Sequence, residues 1–299
     1  MLEKKKKEMI KNKLTKNAKI IDKFLINYLN KQNNSLLIYP MKYGVISGGK
    51  KIRSTVILNA GKIFNLDRKK LINICAAVEC IHSYSLIHDD LPCMDDDSVR
   101  RGKPATHIKF GEASAVLAGN SLLTLAFEII SDKNYLINPK FKNEIIKSLA
   151  FCAGHTGIAG GQELDLKFEN KKKSLNQIIE MQKKKTGKLF NFCLYAVGVL
   201  ANRSNKEKNL LSKLGEEIGL LFQFADDLLD IKGSKRLVGK SIKKDYKKGK
   251  STLIKLMGYE KANIYANNLE KKILLKLKKH GKKAKDLSET IKFILGRNF

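Results

Sequence analysis

The acidic residues of this chain concentrate in one short stretch. Ile87–Gly102 reads IHDDLPCMDDDSVRRG and places five aspartates within nine positions, although the whole chain carries a formal net charge of +30. Neighbouring carboxylates raise each other's pKa unless a cation shares the site, and a hard divalent metal with oxygen ligands supplies one. Arg100 and Arg101 follow, and their guanidinium groups match the oxygens of a phosphate. The stretch therefore predicts a metal site that receives a phosphate-bearing ligand.

A second acidic cluster lies much later in the chain. Phe222–Asp230 reads FQFADDLLD, and Asp226 and Asp230 are four residues apart, so on a helix they share one face with Gln223 nearby. The surrounding residues are apolar, which makes uncompensated carboxylates costly. A metal cluster facing the first motif would offset that cost.

Each cluster has a simpler explanation when it is taken alone. Asp95–Asp97 would suit a solvated acidic loop, and the second cluster would suit an exposed helix face. The first stretch also lacks the alternating ligands, central glycine and final glutamate of an EF-hand loop. Together, however, two such clusters on apolar helices favour a metal–diphosphate site. The candidate ligands are Asp89, Asp90, Asp95, Asp226, Asp227 and Asp230.

The two motifs resemble those of a known enzyme family. DDLPCMD followed by RRG resembles the first aspartate-rich motif of the trans-isoprenyl diphosphate synthases, closest to the bacterial farnesyl diphosphate synthases, and FQFADDLLD resembles their second. The resemblance implies an all-α fold, a single-domain isoprenoid-synthase helical bundle around a central cavity. That domain would span residues 1–299, with an N-terminal helix over about 1–32 and a catalytic core over about 45–299.

The resemblance also implies a reaction. A magnesium-dependent prenyltransferase would condense dimethylallyl or geranyl diphosphate with isopentenyl diphosphate, and farnesyl diphosphate is the expected product. A geranyl or geranylgeranyl product and a non-catalytic regulatory subunit remain alternatives. A terpene cyclase also uses an aspartate-rich metal site, but its second motif is typically an Asn/Ser/Glu pattern, which FQFADDLLD does not match. The family expectation is roughly three Mg²⁺ ions per site, with Mn²⁺ as an alternative ion, in a homodimer.

Further site residues come from matching the family's motifs position by position. The implied isopentenyl diphosphate ligands are Lys50, Arg53, His82 and Arg101. The implied allylic diphosphate ligands are Arg100, Lys185, Thr186, Gln223, Lys240 and Lys250. Tyr84 and Ser85, about one helical turn before Asp89, would set product chain length, and an aromatic residue at position 84 resembles the farnesyl-producing enzymes.

The sequence departs from the family pattern at several positions. Ser54 stands where the family usually has proline, and Asn120 stands where it usually has aspartate. In the basic stretch after the second motif, Lys243 replaces a favoured glycine, and Leu253-Ile254 replaces Tyr-Pro. In the family, lysines of this stretch close over the diphosphate. With these last two changes, the sequence does not predict the geometry of that closure or its rate.

The composition predicts the type of secondary structure that positions these residues. Four prolines, no tryptophan and long segments with helical periodicity predict an all-α chain, including helices over Met1–Gln32 and Leu71–Asp90. No uninterrupted apolar run is long enough to predict stable membrane insertion, and the lysine-rich start lacks the apolar core of a secretory signal. The five cysteines show no metal-binding CxxC spacing, so we expect reduced thiols and a cytoplasmic location.

The high positive charge raises nucleic-acid binding as a competing function. The lysines are spread along the whole chain, however, and they are not interleaved with aromatic residues as in single-strand binders. Lys, Asn and Ile are all over-used, which indicates compositional bias more than a basic groove. We therefore predict small prenyl diphosphates as the ligands and no nucleic-acid partner.

Overall fold

A computed structural model describes residues 2–32, 35–46, 48–236 and 253–296, with the side chains of 2–6 and 232–236 left out of the description. The candidate ligands Lys240 and Lys250, and the departure at Lys243, lie outside the described residues. The chain divides into two compact units, Met1–Ile146 and Lys147–Phe299. The single-domain boundary remains a prediction.

The first unit is built from helices and one short hairpin. Its helices are α1 (Leu2–Asn30), α2 (Ile38–Ile46), α3 (Ile52–Ile63), α4 (Arg68–Asp89), α5 (Thr106–Phe110) and α6 (Glu112–Ser131). Strands β1 (Val99–Arg100) and β2 (Lys103–Pro104) pair antiparallel. Helix α4 packs against both α3 and α6, and its buried face is made of small and aliphatic residues such as Ile74, Val78 and Ile81. This helix carries the first acidic cluster at its end.

Helix α7 (Pro139–Ala153) begins in the first unit and ends in the second. The second unit continues with α8 (Ile158–Phe168), α9 (Leu175–Gln182), a π-helical turn (Lys183–Gly187), α10 (Lys188–Leu200), α11 (Asn205–Arg236), α12 (Leu253–Met257), α13 (Tyr259–Leu277), a 3₁₀ segment (Lys278–Ala284) and α14 (Lys285–Gly296). Helix α11 packs against α10, α13 and α14, and it carries the second acidic cluster.

Local sequence signals explain where the site-bearing helices begin. The Asp67 carboxylate accepts a hydrogen bond from the Lys69 N–H at 2.9 Å and caps α4. Before α11, the Ser204 hydroxyl accepts from the Glu207 N–H at 3.3 Å, and the Glu207 carboxylate accepts from the Ser204 N–H at 3.3 Å. This reciprocal capping box fixes the first turn of the helix that carries the second cluster.

The prediction of an all-α chain is confirmed, since the two-residue strands β1 and β2 are the only strands in the described part. The predicted N-terminal helix and the helix before the first cluster are both present, as α1 and α4.

Two helices, α4 and α6, are long and apolar enough to cross a membrane by length and composition alone, although polar residues interrupt the apolar run in both. In α4, 67% of that stretch is buried, as in the core helix of a soluble protein, whereas in α6 only 44% is buried. Helix α6 therefore presents an apolar surface outward.

Candidate active site

The first acidic cluster forms where α4 ends. Asp89 is the last helical residue, and Asp90 follows as the C-cap. The chain then turns back, because the Asp95 N–H donates to the Asp89 carbonyl at 2.8 Å and the Asp97 N–H donates to the Asp90 carbonyl at 3.1 Å. These bonds bring the later aspartates back beside the earlier pair. Carboxylates at a helix C-terminus face its negative dipole end, so this cluster calls for positive charge.

Arg100 supplies positive charge to one member of this cluster. Asp90 is buried, and its carboxylate accepts from Arg100 Nε at 3.0 and 3.2 Å and also from Arg100 Nη2. Burial raises the pKa of Asp90, while the hydrogen bonds and charge of Arg100 oppose that rise. Asp89 and Asp95 remain partly exposed. Asp90 is thus buried and paired with Arg100, whereas the side chains of Asp89 and Asp95 reach solvent.

The tight hairpin between β1 and β2 orients the Arg101 side chain. Arg101 and Gly102 occupy the turn with φ of 53° and 75°, the left-handed values that a two-residue type I′ turn requires. Arg101 Nη1 donates to the Gly48 carbonyl at 2.6 Å. A Cβ atom on Gly49 would lie 2.7 Å from Arg101 Cζ and would displace the guanidinium group, and the φ of 96° at Gly49 also favours glycine. Gly48 and Gly49 therefore form the backbone surface that the Arg101 guanidinium group contacts.

Three more cationic residues lie at the start of α3. Lys51 adopts a left-handed conformation with φ of 40°, and its buried ammonium group donates to the Val45 carbonyl at 3.0 Å and lies 3.1 Å from Asp22. Arg53 is buried in the first turn of α3, and Lys50 is exposed just before it. The strained backbone at Lys51 is the kind of feature that packed functional sites hold in place.

His82 lies within reach of these charges. Burial lowers the pKa of the His82 imidazole well below its usual range, and the positive charges of Arg53, Arg101, Lys51 and Arg100 lower it further. The ring is therefore neutral at pH 7 and can donate one hydrogen bond without adding charge. Of the four predicted isopentenyl diphosphate ligands, Arg53, His82 and Arg101 form this electrostatic group, and Lys50 stands exposed at its edge.

The two chain-length candidates differ in their surroundings. Tyr84 is buried and packs edge-on against His88, with ring centroids 5.7 Å apart. Burial raises the pKa of its phenol, which stays protonated. The Ser85 hydroxyl donates to the His82 carbonyl of its own helix at 3.0 Å. Tyr84 therefore offers the bulk that a floor needs, whereas Ser85 is engaged within α4.

The second cluster lies inside the continuous helix α11. Asp226 is partly exposed and Asp230 is exposed, whereas Asp227 is buried. Asp227 Oδ1 accepts from Gln223 Nε2 at 2.8 Å, and Oδ2 accepts from the Leu253 N–H at 3.1 Å. Burial raises the pKa of Asp227 to about 7 against the lowering effect of these bonds. The second aspartate of this cluster, like Asp90 in the first, is buried and accepts from protein donors.

A π-helical turn positions the predicted allylic ligands of the second unit. Lys183–Gly187 forms this turn, and within it Lys185 Nζ lies 2.5 Å from Asp165 Oδ2. The Thr186 hydroxyl donates to Gln223 Oε1 at 3.2 Å. A Cβ atom on Gly161 would lie 2.2 Å from the Lys185 backbone nitrogen, so only glycine lets α8 approach the turn this closely. Such π turns are frequent at functional sites.

The acidic side chains of each cluster, taken by itself, suit a hard divalent metal that also binds substrate. Within the described residues, no three His, Cys, Asp or Glu side chains form a ready metal cage. Of the six candidate ligands, Asp89, Asp95, Asp226 and Asp230 are partly exposed or exposed. Mg²⁺ typically takes one or two carboxylates and completes its shell with water and phosphate oxygens. The residues present therefore fit magnesium bound together with a diphosphate.

Sequence reasoning missed two buried residues of the first unit. Glu79 is buried in α4, and its Oε1 accepts from Ser54 Oγ at 2.7 Å and from the Ser54 N–H at 3.3 Å. Ser54 therefore replaces the family's usual proline with two donors. Lys51 looked like an ordinary solvated lysine. A lone glutamate inside an apolar helix was the one signal available for Glu79.

Comparison with known proteins identifies the family of this chain. The family described as polyprenyl synthetase matches residues 34–293. Farnesyl diphosphate synthase of Escherichia coli is 41% identical over 239 residues, which cover 79% of this chain and 80% of that protein. An apo FPP/GFPP synthase structure from Zymomonas mobilis aligns with a TM-score of 0.86 at 35% identity, covering 97% of this chain and 100% of that one.

A geranyltransferase from Helicobacter pylori, solved with magnesium and isoprenyl diphosphate, aligns with a TM-score of 0.79 at 31% identity, covering 96% of each chain. The family match covers most of the chain, and the relatives share its length as well as its sequence. The chain belongs to the polyprenyl synthetase family.

Proposed function

We propose that this protein is a magnesium-dependent trans-prenyltransferase that makes farnesyl diphosphate from isopentenyl diphosphate and a shorter allylic diphosphate. The observation that carries the proposal is the group formed by Arg53, His82 and Arg101 in the unit that also holds the first acidic cluster. This unit thus holds a positively charged group that can bind a diphosphate directly and an acidic cluster that can bind one through a metal ion. The two groups suit two diphosphate substrates that bind differently. Curated relatives named farnesyl diphosphate synthase support the product.

Isopentenyl diphosphate is the substrate for the cationic group. Arg53 and Arg101 would bind the diphosphate oxygens through their guanidinium forks, with Lys50 adding charge from the exposed edge. Neutral His82 would donate one further hydrogen bond. Because Arg101 Nη1 donates to the Gly48 carbonyl, its guanidinium group is oriented before the substrate arrives, which reduces the entropy cost of binding.

The allylic diphosphate is the substrate for the acidic clusters and their neighbours. Asp89, Asp95, Asp226 and Asp230 would hold Mg²⁺, with Asp90 and Asp227 supporting them from buried positions. Magnesium, when bound, supplies Lewis-acid stabilisation of the charge that develops on the leaving diphosphate. The magnesium count, about three per site, and the use of Mn²⁺ belong to the same proposal.

The protein's own cations share the work of ionisation. Lys185 and Arg100 would neutralise the diphosphate as the allylic C–O bond breaks and its electron pair leaves with the diphosphate, with Thr186 and Gln223 placed beside Lys185. Lys240 and Lys250 have the same proposed role. The double bond of isopentenyl diphosphate then attacks the allylic cation and forms a carbon–carbon bond. Loss of one proton restores the double bond, and we assign that proton to the released diphosphate.

Apolar side chains around the acidic clusters would exclude water, so that the cation reacts with the second substrate. Tyr84 would stop the growing chain at the farnesyl length, because a buried aromatic ring fills the space that further carbons would need. Since the similar Zymomonas mobilis protein is described as an FPP/GFPP synthase, a longer product is the specific alternative to test.

We further propose that the protein is a cytoplasmic homodimer without stable membrane insertion. Helix α6 supports the dimer, since Val116 and Leu117 on its outer side are 38% and 51% exposed although apolar. Pairing of two such faces would cover them. Light scattering should report a dimer for the wild type and a monomer for Leu117→Glu.

The proposed activity is tested by incubating the purified protein with dimethylallyl and isopentenyl diphosphates in Mg²⁺, followed by chromatography of the dephosphorylated products. We expect farnesol, no product with EDTA, and recovery on adding Mg²⁺. A cyclic hydrocarbon would indicate a cyclase, and no turnover in Mg²⁺ or Mn²⁺ would contradict the synthase proposal.

A further inference from the structure

A continuous hydrogen-bond chain crosses the second unit beside the second acidic cluster. The Thr186 hydroxyl donates to Gln223 Oε1 at 3.2 Å, and Gln223 Nε2 donates to Asp227 Oδ1 at 2.8 Å. Asp227 Oδ2 then accepts from the Leu253 backbone N–H at 3.1 Å. The chain therefore connects the π-helical turn, the middle of α11 and the first residue of α12.

Asp227 is the acceptor in the middle of this chain. Both of its carboxylate oxygens accept a hydrogen bond, so the amide NH₂ of Gln223 faces Asp227 and the amide oxygen of Gln223 faces Thr186. The Thr186 hydroxyl is then the donor at the far end. The position of one buried side chain thus sets how the hydroxyl of Thr186 is oriented.

The other end of the chain secures a helix start. Leu253 begins α12, and the first N–H groups of a helix lack partners within the helix. Asp227 supplies that partner from α11. The side chains of Leu253 and Ile254 are 0% and 4% exposed, so the acceptor and the apolar contacts hold the same two residues. The backbone N–H of Leu253 is thus satisfied by a side chain of another helix.

We propose that Asp227 is a positioning residue that tethers the start of α12 to α11 and orients Thr186 through Gln223. The inference rests on the proposed function for the role of Thr186, but the tether itself does not. Asp226 and Asp230 differ from Asp227 because their side chains reach solvent on the same helix. Both oxygens of Asp227, by contrast, accept hydrogen bonds from protein donors inside the unit.

The tether is tested by hydrogen–deuterium exchange of the Leu253 amide in Asp227→Ala. The alanine removes both acceptor oxygens, so the Leu253 N–H loses its bond. We expect Leu253 to exchange about fivefold faster, since a bond of roughly 1 kcal/mol corresponds to that ratio. Asp226→Ala is the matched control on the same helix and should leave Leu253 unchanged. Unchanged exchange in Asp227→Ala would overturn the tether.

The orienting role is tested by steady-state kinetics over a range of Mg²⁺ concentrations. Asp226→Asn should raise the Mg²⁺ concentration for half-maximal rate. Asp227→Asn should leave it within about twofold while raising the KM for dimethylallyl diphosphate about tenfold. Equal shifts of the Mg²⁺ requirement in both variants would make Asp227 a metal ligand instead.

A second variant covers the case in which the Asp227 variants do not fold. Thr186→Val keeps the side-chain shape but removes the far donor. It should raise the KM for the allylic substrate while leaving the Leu253 exchange rate and the Mg²⁺ requirement unchanged. If the wild type were inactive, the exchange arm would still decide the tether, so the two proposals fail separately.

Discussion

The two acidic clusters share a pattern but are held by different means. In each, the second aspartate is buried and the first and last reach solvent. Asp90 lies at the end of α4 and is paired with the charged guanidinium group of Arg100, whereas Asp227 lies inside α11 and accepts from a neutral amide and a backbone N–H.

The difference shows how each position offsets the free-energy cost of placing a carboxylate there. A helix end faces unfavourable dipole charge and is open to a loop, so a hairpin can deliver an arginine there. The interior of a packed helix offers short-range neutral donors, and burial then raises the pKa of Asp227 to about 7. We infer that the solvent-facing aspartates bind metal and that the buried ones maintain the geometry.

The largest expected effect is the loss of turnover when a solvent-facing aspartate of either cluster is replaced. Asp89→Asn and Asp226→Asn should each lower kcat by about 10²–10³-fold, because each removes electrostatic stabilisation of the leaving diphosphate. Circular dichroism should show intact helices, and Glu163→Gln, an exposed carboxylate on α8, should keep full activity. Activity within tenfold of wild type in either variant would remove that aspartate from the metal site.

Removing Arg100 should affect stability through the first cluster. Arg100→Ala leaves Asp90 buried without its charged partner, and we expect a loss of about 2 kcal/mol, less than for a fully buried pair because Arg100 is 32% exposed. Urea denaturation measures this change. The Asp90→Asn/Arg100→Ala double variant should recover part of the loss, and an additive double variant would exclude the pairing.

Replacing Tyr84 tests the floor next to the first cluster. Tyr84→Ala should shift product from farnesyl toward geranylgeranyl diphosphate, since removing a buried ring opens space for another prenyl unit. Tyr135→Phe, elsewhere in the same unit, should leave chain length unchanged. An unaltered product distribution in Tyr84→Ala would take that role from Tyr84.

The smallest effect concerns the capping box that begins α11. Bonds from Arg203 and Ser204 lower the pKa of Glu207 to about 2, below its usual value of 4.5. A depressed pKa stabilises the fold above pH 4.5, and that contribution fades as pH falls from 4.5 toward 2. The urea midpoint difference between wild type and Glu207→Gln should therefore be present at pH 7 and shrink across this range. A constant difference would mean that charge is not involved.

The sequence predicted the all-α fold from helical periodicity and the two acidic clusters from the spacing of their aspartates, because both are local signals. The residues of the cationic group came instead from the resemblance to the family's motifs. The tight turn at Arg101 and the contact of its side chain with Gly48 and Gly49 were not foreseeable, since they depend on two segments about fifty residues apart. The bonds of Asp90 and Asp227 were also invisible, because an aspartate that binds metal and one that binds protein look alike in a motif. The π-helical turn at Lys183–Gly187 left no signal that we could read.

The central claim is that both clusters act on the same leaving diphosphate, and a double variant tests it most directly. We would measure kcat for Asp89→Asn, Asp226→Asn and the combined variant with radiolabelled isopentenyl diphosphate at saturating Mg²⁺. Residues that act as one unit are strongly non-additive, so the double variant should be within about tenfold of the slower single variant. A loss equal to the product of the two single losses would contradict the claim.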